Sequence, residues 1–188
     1  MKPMHGTVQS PASRGHLYLE NGAANGLEAG KFFPQTQAGL RDPYAPDDVP
    51  NVTPPADGKI ASAGRPEAAI LDETGRDWKK HSVEAGQRLD VTWSFTAPHK
   101  TRRFNYFLTR SDWNPHQPLA RDQFEPSPFH TVQLAGQPYW AADDLTPANP
   151  STHALPLPPR TGHQVLLAVW EVADTGNAFY QVIDLDFS

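Results

Sequence analysis

Histidine is the residue type in this chain whose side chain is best suited to chemistry. The 188 residues include eight histidines and no cysteine. Imidazole binds transition metals and exchanges protons near neutral pH, whereas the lack of cysteine excludes disulfides, thiolate metal sites and cysteine nucleophiles. The histidines are His5, His16, His81, His99, His116, His130, His153 and His163.

No local motif assigns these histidines to a metal or to a catalytic group. The sequence has no HExxH, no GxGxxG, no phosphate-binding loop and no GxSxG. Taken singly, each histidine is therefore interpreted as a surface or hydrogen-bonded residue. His99 differs slightly, because it follows a predicted strand that ends at Phe95. Loops at strand ends are where a rigid scaffold presents functional side chains.

The composition excludes several classes of function. The net charge of −5 disfavours binding to nucleic acid, which requires a basic face. No run of about 18 apolar residues is present, so no membrane-spanning segment is predicted. The 20 prolines and 13 glycines indicate many turns and long loops on a β framework, and the length suits one domain.

The second half of the chain contains the elements that must position any site. Apolar and polar residues alternate in RLDVTWSFTA and RRFNYFLT, which predicts half-buried strands. QVLLAVWEV is apolar on both parities, as in a central strand that is covered on both faces. FYQVIDLDF closes the chain as a further strand, with Asp184 and Asp186 on the parity opposite to its apolar residues.

The first half indicates loops more than regular elements. Residues 7–80 are expected to form loops with short helical pieces, one of them in PEAAILDETGRDW with Pro66 in the first turn. Several strands, long connections and no sustained helix predict an all-β fold. The expected architecture is an antiparallel β-sandwich of the immunoglobulin or fibronectin-III type. Its long loop region, with short helices, lies between the first strands.

Five stretches, in the same order, resemble the bacterial lytic polysaccharide monooxygenases of auxiliary-activity family ten, the chitin-active group. These are HGTVQSPASR at the front, PPADGKIASA (54–63), WSFTAPHKTRRFNYFLT (93–109), WNPHQPLARDQFE (113–125) and VLLAVWEVADTGNAFYQVIDLDF (165–187). Together they are distributed over residues 5–187. One such motif would be weak, but five in order make the resemblance specific.

The resemblance implies a copper site in which the first residue of the mature chain is a ligand. The amine and imidazole of His5 would bind one copper ion together with the imidazole of His99, a nitrogen set that suits copper. Phe179 matches the aromatic residue on one axial side, and Ala97 a small residue on the other. The polar surroundings match Thr96, Asp174 and Thr175. An external electron donor, and hydrogen peroxide or dioxygen as co-substrate, are also implied.

The resemblance also implies a flat binding face around the copper. Phe32 and Phe33 match the positions where relatives present an aromatic and a polar residue, and aromatic rings stack on sugars; the alternative is that both pack inward. One departure concerns a glutamate that relatives carry near the copper. The chain has PQTQAG at 34–39, which places Ala38 at that position, with Gln37 beside it as a neutral substitute.

These observations predict a secreted, monomeric copper monooxygenase that cleaves insoluble chitin at C1. Cellulose and C4 oxidation are the alternatives, and neither nucleic acid nor membrane is an expected partner. One rival is a non-catalytic chitin-binding protein or adhesin on the same fold; the other is a structural β-sandwich that happens to bind copper. Residues 1–4 are expected to be a leader or an added remnant before a single domain at 5–188, with secretion dependent on processing that exposes His5.

Overall fold

The computed structural model describes residues 5–45, 49–134 and 145–188, so the expectation about residues 1–4 lies outside the described residues. The strands of these ranges are β1 (Gly6–Ser10), β2 (Glu28–Gly30), β3 (His81–Val83), β4 (Arg88–Phe95), β5 (Thr101–Leu108), β6 (His130–Val132), β7 (Ser151–Pro156), β8 (Gly162–Val172) and β9 (Asn177–Phe187). The helical elements are α1 (Arg14–Tyr18) and 3₁₀ helices at Ala23–Gly26, Pro66–Asp72 and Arg121–Gln123.

The strands form two sheets, and the predicted β-sandwich is confirmed. The smaller sheet has the order β1-β4-β7, and the larger has the order β2-β9-β8-β5-β6. These pairs are antiparallel, while the short strand β3 pairs in parallel with the end of β9. The long antiparallel β8–β9 pair therefore forms the centre of the larger sheet.

Burial of the larger sheet on both faces explains its apolar sequence. One apolar cluster lies between the sheets and includes Trp93, Trp170 and Phe179. A second covers the outer face of the larger sheet, where Ile60 and Leu71 of the loop region pack with strand residues such as Tyr180. A strand with both faces covered loses its polar alternation, as predicted for β8.

The first half of the chain contains more regular structure than predicted. Strand β1 lies within the region interpreted as loop, and its inward and outward positions do not alternate. A bulge between Val8 and Ser10 shifts its register against β4, which removes the period-2 signal. The predicted helical piece is present as the 3₁₀ helix Pro66–Asp72, with proline at its start.

Asp184 of β9 is buried within a charged group at the end of the sheet where β8 begins. Its carboxylate accepts hydrogen bonds from Nε and Nη2 of Arg14 at 2.7 and 2.8 Å, and it lies 2.8 Å from Nε2 of His163. Burial alone would raise the pKa of Asp184, but the hydrogen bonds from Arg14 and His163 overcome that effect and lower it. Among the described residues, no helix is long and apolar enough to cross a membrane.

Candidate functional site

His5 and His99 lie together at one end of the sandwich, although 93 positions of sequence separate them. Nδ1 of His5 is 2.7 Å from Nε2 of His99, and the ring centroids are 4.7 Å apart. His5 precedes β1, and His99 follows β4. Because Gly6 pairs with Phe95 in the β1–β4 ladder, the ladder brings the start of one strand to the end of the other.

Main-chain hydrogen bonds fix the position of His5 beside that strand end. Its carbonyl accepts from the backbone N–H of Thr96 at 3.1 Å and of Ala97 at 3.2 Å. The next residue must be glycine, since a Cβ on Gly6 would lie 2.7 Å from Cδ1 of Phe95. The structure thus places the expected Thr96 and Ala97 against His5 through their backbone amides.

The backbone of His99 is held by a relay from the core. The indole N–H of Trp170 donates to Oγ1 of Thr101 at 2.7 Å, and that hydroxyl donates to the carbonyl of His99 at 3.1 Å. Trp170 is fully buried in β8. The loop that carries His99 is therefore connected by hydrogen bonds to the buried core.

Phe179 forms the apolar floor below the two imidazoles. Its ring centroid lies 4.9 Å from that of His5 and 6.2 Å from that of His99, and its side chain is 0% exposed. It stacks on Trp170 at 4.8 Å on the core side. A ring at this position excludes water from one side of the imidazole pair and offers no metal donor there.

A carboxylate that the sequence interpretation did not single out lies next to His5. Oε2 of Glu28 is 3.7 Å from Nε2 of His5, the ring nitrogen that does not face His99. Nδ2 of Asn177 donates to Oε1 of Glu28 at 2.6 Å, and Nη2 of Arg65 lies 3.8 Å from Oε2. The charge of Glu28 is thus held in place from two sides.

The short β2–β9 ladder explains how Glu28 reaches this position. Glu28 pairs with Phe179 and Gly30 pairs with Asn177, so all four residues lie on one face of the sheet. Strand β2 has only three residues, Glu28–Gly30. A period-2 pattern cannot be recognised over three positions. The position of Glu28 next to the site becomes evident only from the pairing of β2 with β9.

The environment of His5 shifts its pKa. Burial lowers the pKa of His5, Glu28 opposes that effect, and His99 and Arg65 lower the pKa further. The net lowering favours the neutral imidazole. Neutral imidazole is the form that binds metals.

The structure does not bring the side chains of Gln37 and Ala38 into contact with the two histidines. Both residues are exposed, and no hydrogen bond or ring contact among the described residues joins either side chain to His5 or His99. The backbone carbonyl of Gln37 accepts instead from Nδ2 of Asn51 at 2.9 Å. The charged neighbour of the histidines is Glu28, which comes from a different strand.

Phe33 does not lie on the surface, as a substrate-contact residue would, since its side chain is buried at 4% exposure. It packs edge-on against Phe107 and Phe124 in the outer apolar cluster. This is the inward packing that remained the alternative. Phe32 is partly exposed, and its φ of 78° is unusual for a bulky residue.

The polar residues expected around the site lie in the turn that leads into β9. Asp174 is exposed, and Oγ1 of the partly exposed Thr175 accepts from the backbone N–H of Asn177 at 3.2 Å. Thr175 therefore positions the residue that holds Glu28. The structure thus gives Thr175 an indirect connection to His5, through Asn177 and Glu28.

The nitrogen donors at this end of the sandwich suit copper. Two imidazole nitrogens converge, an apolar ring closes one side, and a carboxylate lies next to one imidazole. Among the described residues, no group of three or more histidine, aspartate and glutamate side chains could hold a metal ion. The main-chain nitrogen of His5 lies next to the two imidazoles in the chain and, as a free amine, would be a further nitrogen donor.

A comparison with known protein families identifies the family to which this chain is similar. The model of a family described as lytic polysaccharide mono-oxygenase, cellulose-degrading, matches residues 5–185. The chain belongs to this family. The match to this lytic polysaccharide monooxygenase family starts at His5 and includes both histidines and Phe179.

Solved structures agree with the family assignment. A chitin binding domain from Burkholderia pseudomallei is 50% identical, with a TM-score of 0.92 over 98% of this chain and 99% of that one. A lytic polysaccharide monooxygenase of the AA10 group from Streptomyces lividans is 33% identical, with a TM-score of 0.76 over 97% and 100% of the two chains. The resemblance inferred from the sequence motifs is confirmed.

Curated relatives are longer proteins. GlcNAc-binding protein A of Vibrio cholerae serotype O1 is 39% identical over 188 residues, which cover 96% of this chain and 36% of the relative. The corresponding protein of Shewanella oneidensis is 38% identical and is also covered over 36% of its length. The chain therefore spans about a third of the curated relatives that it matches.

Proposed function

We propose that this chain is a copper-dependent monooxygenase that oxidatively cleaves crystalline chitin. The observation that carries the proposal is the contact of 2.7 Å between Nδ1 of His5 and Nε2 of His99 above the buried ring of Phe179. Two family relatives with determined structures are described as bound to copper or photoreduced, including one from Bacillus amyloliquefaciens in complex with Cu(I). These points support copper as the metal.

The donors for copper would be the imidazoles of His5 and His99 and the nitrogen of His5. That nitrogen is a good donor only as a terminal amine, because the lone pair of a peptide nitrogen is delocalised into the C–N bond. We therefore propose that the active form begins at His5. Residues 1–4 would be removed either alone or together with a longer export leader. Secretion and a monomeric state belong to the same proposal.

Held by these three nitrogens, copper would supply the redox chemistry for oxidation of a sugar C–H bond, with an external electron donor and hydrogen peroxide or dioxygen as co-substrate. The protein contributes geometry and exclusion of water. Phe179 closes the lower side without offering a donor, and the amides of Thr96 and Ala97 hold the carbonyl of His5. Glu28 places a carboxylate 3.7 Å from Nε2 of His5, where its charge favours a proton on that nitrogen and leaves Nδ1 free to bind the metal.

Chitin is the proposed substrate, with oxidation at C1. The names of relatives refer to chitin and to GlcNAc, the sugar unit of chitin, whereas the family description refers to cellulose. Cellulose and C4 oxidation are therefore the alternatives. The partly exposed ring of Phe32 provides a surface on which a sugar can stack.

A non-catalytic chitin-binding protein is the second candidate. It is supported by the relatives that are named for binding alone; while residues 1–4 are attached, the nitrogen of His5 is a peptide amide. That amide donates to the carbonyl of Asn25 at 3.0 Å. The two candidates share adsorption on chitin and differ in turnover.

The deciding experiment uses the chain that begins at His5, loaded with copper. We expect β-chitin and ascorbate to yield soluble oligosaccharides oxidised at C1, detected by mass spectrometry. No products should form without ascorbate or with His99→Ala. Adsorption without oxidised products would support the binding protein, and a parallel incubation with cellulose tests the substrate.

N-terminal sequencing of the protein secreted by its native host should give His-Gly-Thr-Val.

A further inference from the structure

Tyr44 is an exposed aromatic residue that no part of the copper site uses. Its side chain is 42% exposed, and it is the only aromatic among the exposed large apolar side chains of the described residues. Tyr44 lies in the segment 41–53, which carries none of the family motifs. An exposed aromatic ring on an ordered turn is a typical contact group for a flat ligand.

The turn that carries Tyr44 is anchored in the protein. Asp42 is buried, and its carboxylate forms ion pairs with Arg102 and, at 3.6 Å, with Nζ of Lys31. Oδ1 of the same Asp42 accepts from the backbone N–H of Tyr44 at 2.9 Å. The backbone N–H of Ala45 donates to the carbonyl of Asp42 at 3.1 Å, which closes the turn. The ring of Tyr44 is thus presented by a fixed backbone.

This anchor lies at the same end of the sandwich as His5 and His99. Nζ of Lys31 donates to the carbonyl of Val172, where β8 ends, at 3.0 Å. The backbone N–H of Lys31 donates to the carbonyl of Gly176, one residue before Asn177, at 3.2 Å. Arg102 stands three residues after His99, at the start of β5.

Tyr44 and Phe32 flank one guanidinium group. Cζ of Arg102 is 5.4 Å from the ring centroid of Tyr44 and 5.7 Å from that of Phe32. The two rings therefore lie within the reach of one side chain. The carboxylate of Asp42 pairs with both Arg102 and Lys31, so the guanidinium next to the two rings is held within the protein.

We propose that Tyr44 is a second stacking residue for a sugar ring of the insoluble polysaccharide, next to Phe32. This inference rests on the proposed function, since it extends the same binding face. A sugar ring fits better than a protein partner, because Arg41 and Pro43 are the exposed residues beside Tyr44 in the described part of this segment. One ring with such neighbours is far smaller than the apolar core of a protein interface. The polysaccharide would then contact two rings of the loop region that follows β2.

Adsorption on β-chitin tests the inference, with the copper-loaded chain that begins at His5. We expect Tyr44→Ala to weaken the partition coefficient about five- to tenfold, at the lower end of the range for stacking on an aromatic ring. Tyr44→Phe should retain adsorption, since the ring is kept. Leu17→Ala is the matched control, because Leu17 is a 36% exposed apolar residue on α1. Its adsorption should equal that of the parent chain.

The outcomes distinguish failure of the role of Tyr44 from failure of the proposed copper function. Adsorption of Tyr44→Ala equal to that of the parent overturns the role of Tyr44 and leaves the copper function standing. A loss of adsorption with an equal loss of thermal stability shows a structural role and also overturns it. If the parent chain itself does not adsorb, the proposed function fails, and the inference fails with it. Unchanged copper spectra in Tyr44→Ala separate the stacking role from the metal site.

Discussion

The carboxylate of Glu28 lies 3.7 Å from Nε2 of His5, on the ring nitrogen that faces away from His99. A carboxylate at the outer nitrogen of a ligand histidine fixes its tautomer and ring orientation and raises its basicity. Asn177 and Arg65 hold the carboxylate there. The two histidines therefore have a negatively charged neighbour in Glu28.

Replacement of Glu28 by glutamine should weaken copper binding. In the chain that begins at His5, we expect Glu28→Gln to lower the affinity for Cu(II) by about 10- to 100-fold, the usual cost of losing such a partner. Titration calorimetry measures the affinity, and electron paramagnetic resonance reports the ligand field. Glu67→Gln removes an exposed carboxylate and should change neither quantity. An affinity equal to that of the parent would show that Glu28 does not act on His5.

Removal of the second imidazole should abolish tight copper binding without unfolding the protein. His99 is partly exposed on a loop, so His99→Ala should change the free energy of unfolding by less than about 1 kcal/mol. His116→Ala, at an exposed histidine, is the control for affinity. Tight binding that survives in His99→Ala would mean that another histidine holds the metal.

The sequence was informative where a signal is local or repeated along a strand. Alternation predicted β4, and apolar runs on both parities predicted β8, because long strands repeat their burial pattern. Glu28 was missed because it lies on a three-residue strand and acquires its role from pairing with Phe179. Phe33 was placed wrongly because adjacent phenylalanines give no sign of which one faces the core.

Buried charge was the second kind of feature that pattern alone did not reveal. Asp184 and Asp186 share one parity of β9, yet only Asp186 is exposed. Asp184 is buried because Arg14, from a helix far away in sequence, reaches it. Such a pairing is a property of the tertiary structure, and no spacing along β9 encodes it.

Asp184→Asn should strongly destabilise the fold. It leaves the guanidinium of Arg14 buried without its counter-charge, which costs about 3–5 kcal/mol in the free energy of unfolding. Denaturant unfolding measures the loss. Asp186→Asn is the matched control on the same strand and should lie within about 0.5 kcal/mol of the parent chain. A similar small effect for Asp184→Asn would argue against a charged pair with Arg14.

His153 should make the fold less stable in mild acid. Burial lowers the pKa of His153 to about 4, and His130 contributes to the lowering, while Nδ1 of His153 lies 2.5 Å from the hydroxyl of Tyr106. The unfolded chain takes up this proton as the pH falls through about 6.5, whereas the folded chain does so only near 4. Stability is therefore lost between these pH values, by about 2–3 kcal/mol.

Unfolding at a series of pH values, with and without this histidine, measures the effect. His153→Gln should be less stable than the parent at pH 7, and the difference should shrink as the pH falls from 6.5 to 4. His116→Gln removes an exposed histidine, and its difference from the parent should stay constant. A constant difference for His153→Gln would show that His153 titrates alike in the folded and unfolded chains.

Copper titration of two chains that differ only at the front tests the metal site most directly. One chain begins at His5 and the other at Met1, and both are followed by electron paramagnetic resonance. We expect the chain that begins at His5 to bind one equivalent of Cu(II) tightly, with an axial type-2 spectrum and nitrogen couplings. The chain that begins at Met1 should bind much more weakly, because the nitrogen of His5 is then a peptide amide. Equal affinity and identical spectra for the two chains would contradict a copper site built on the amine of His5.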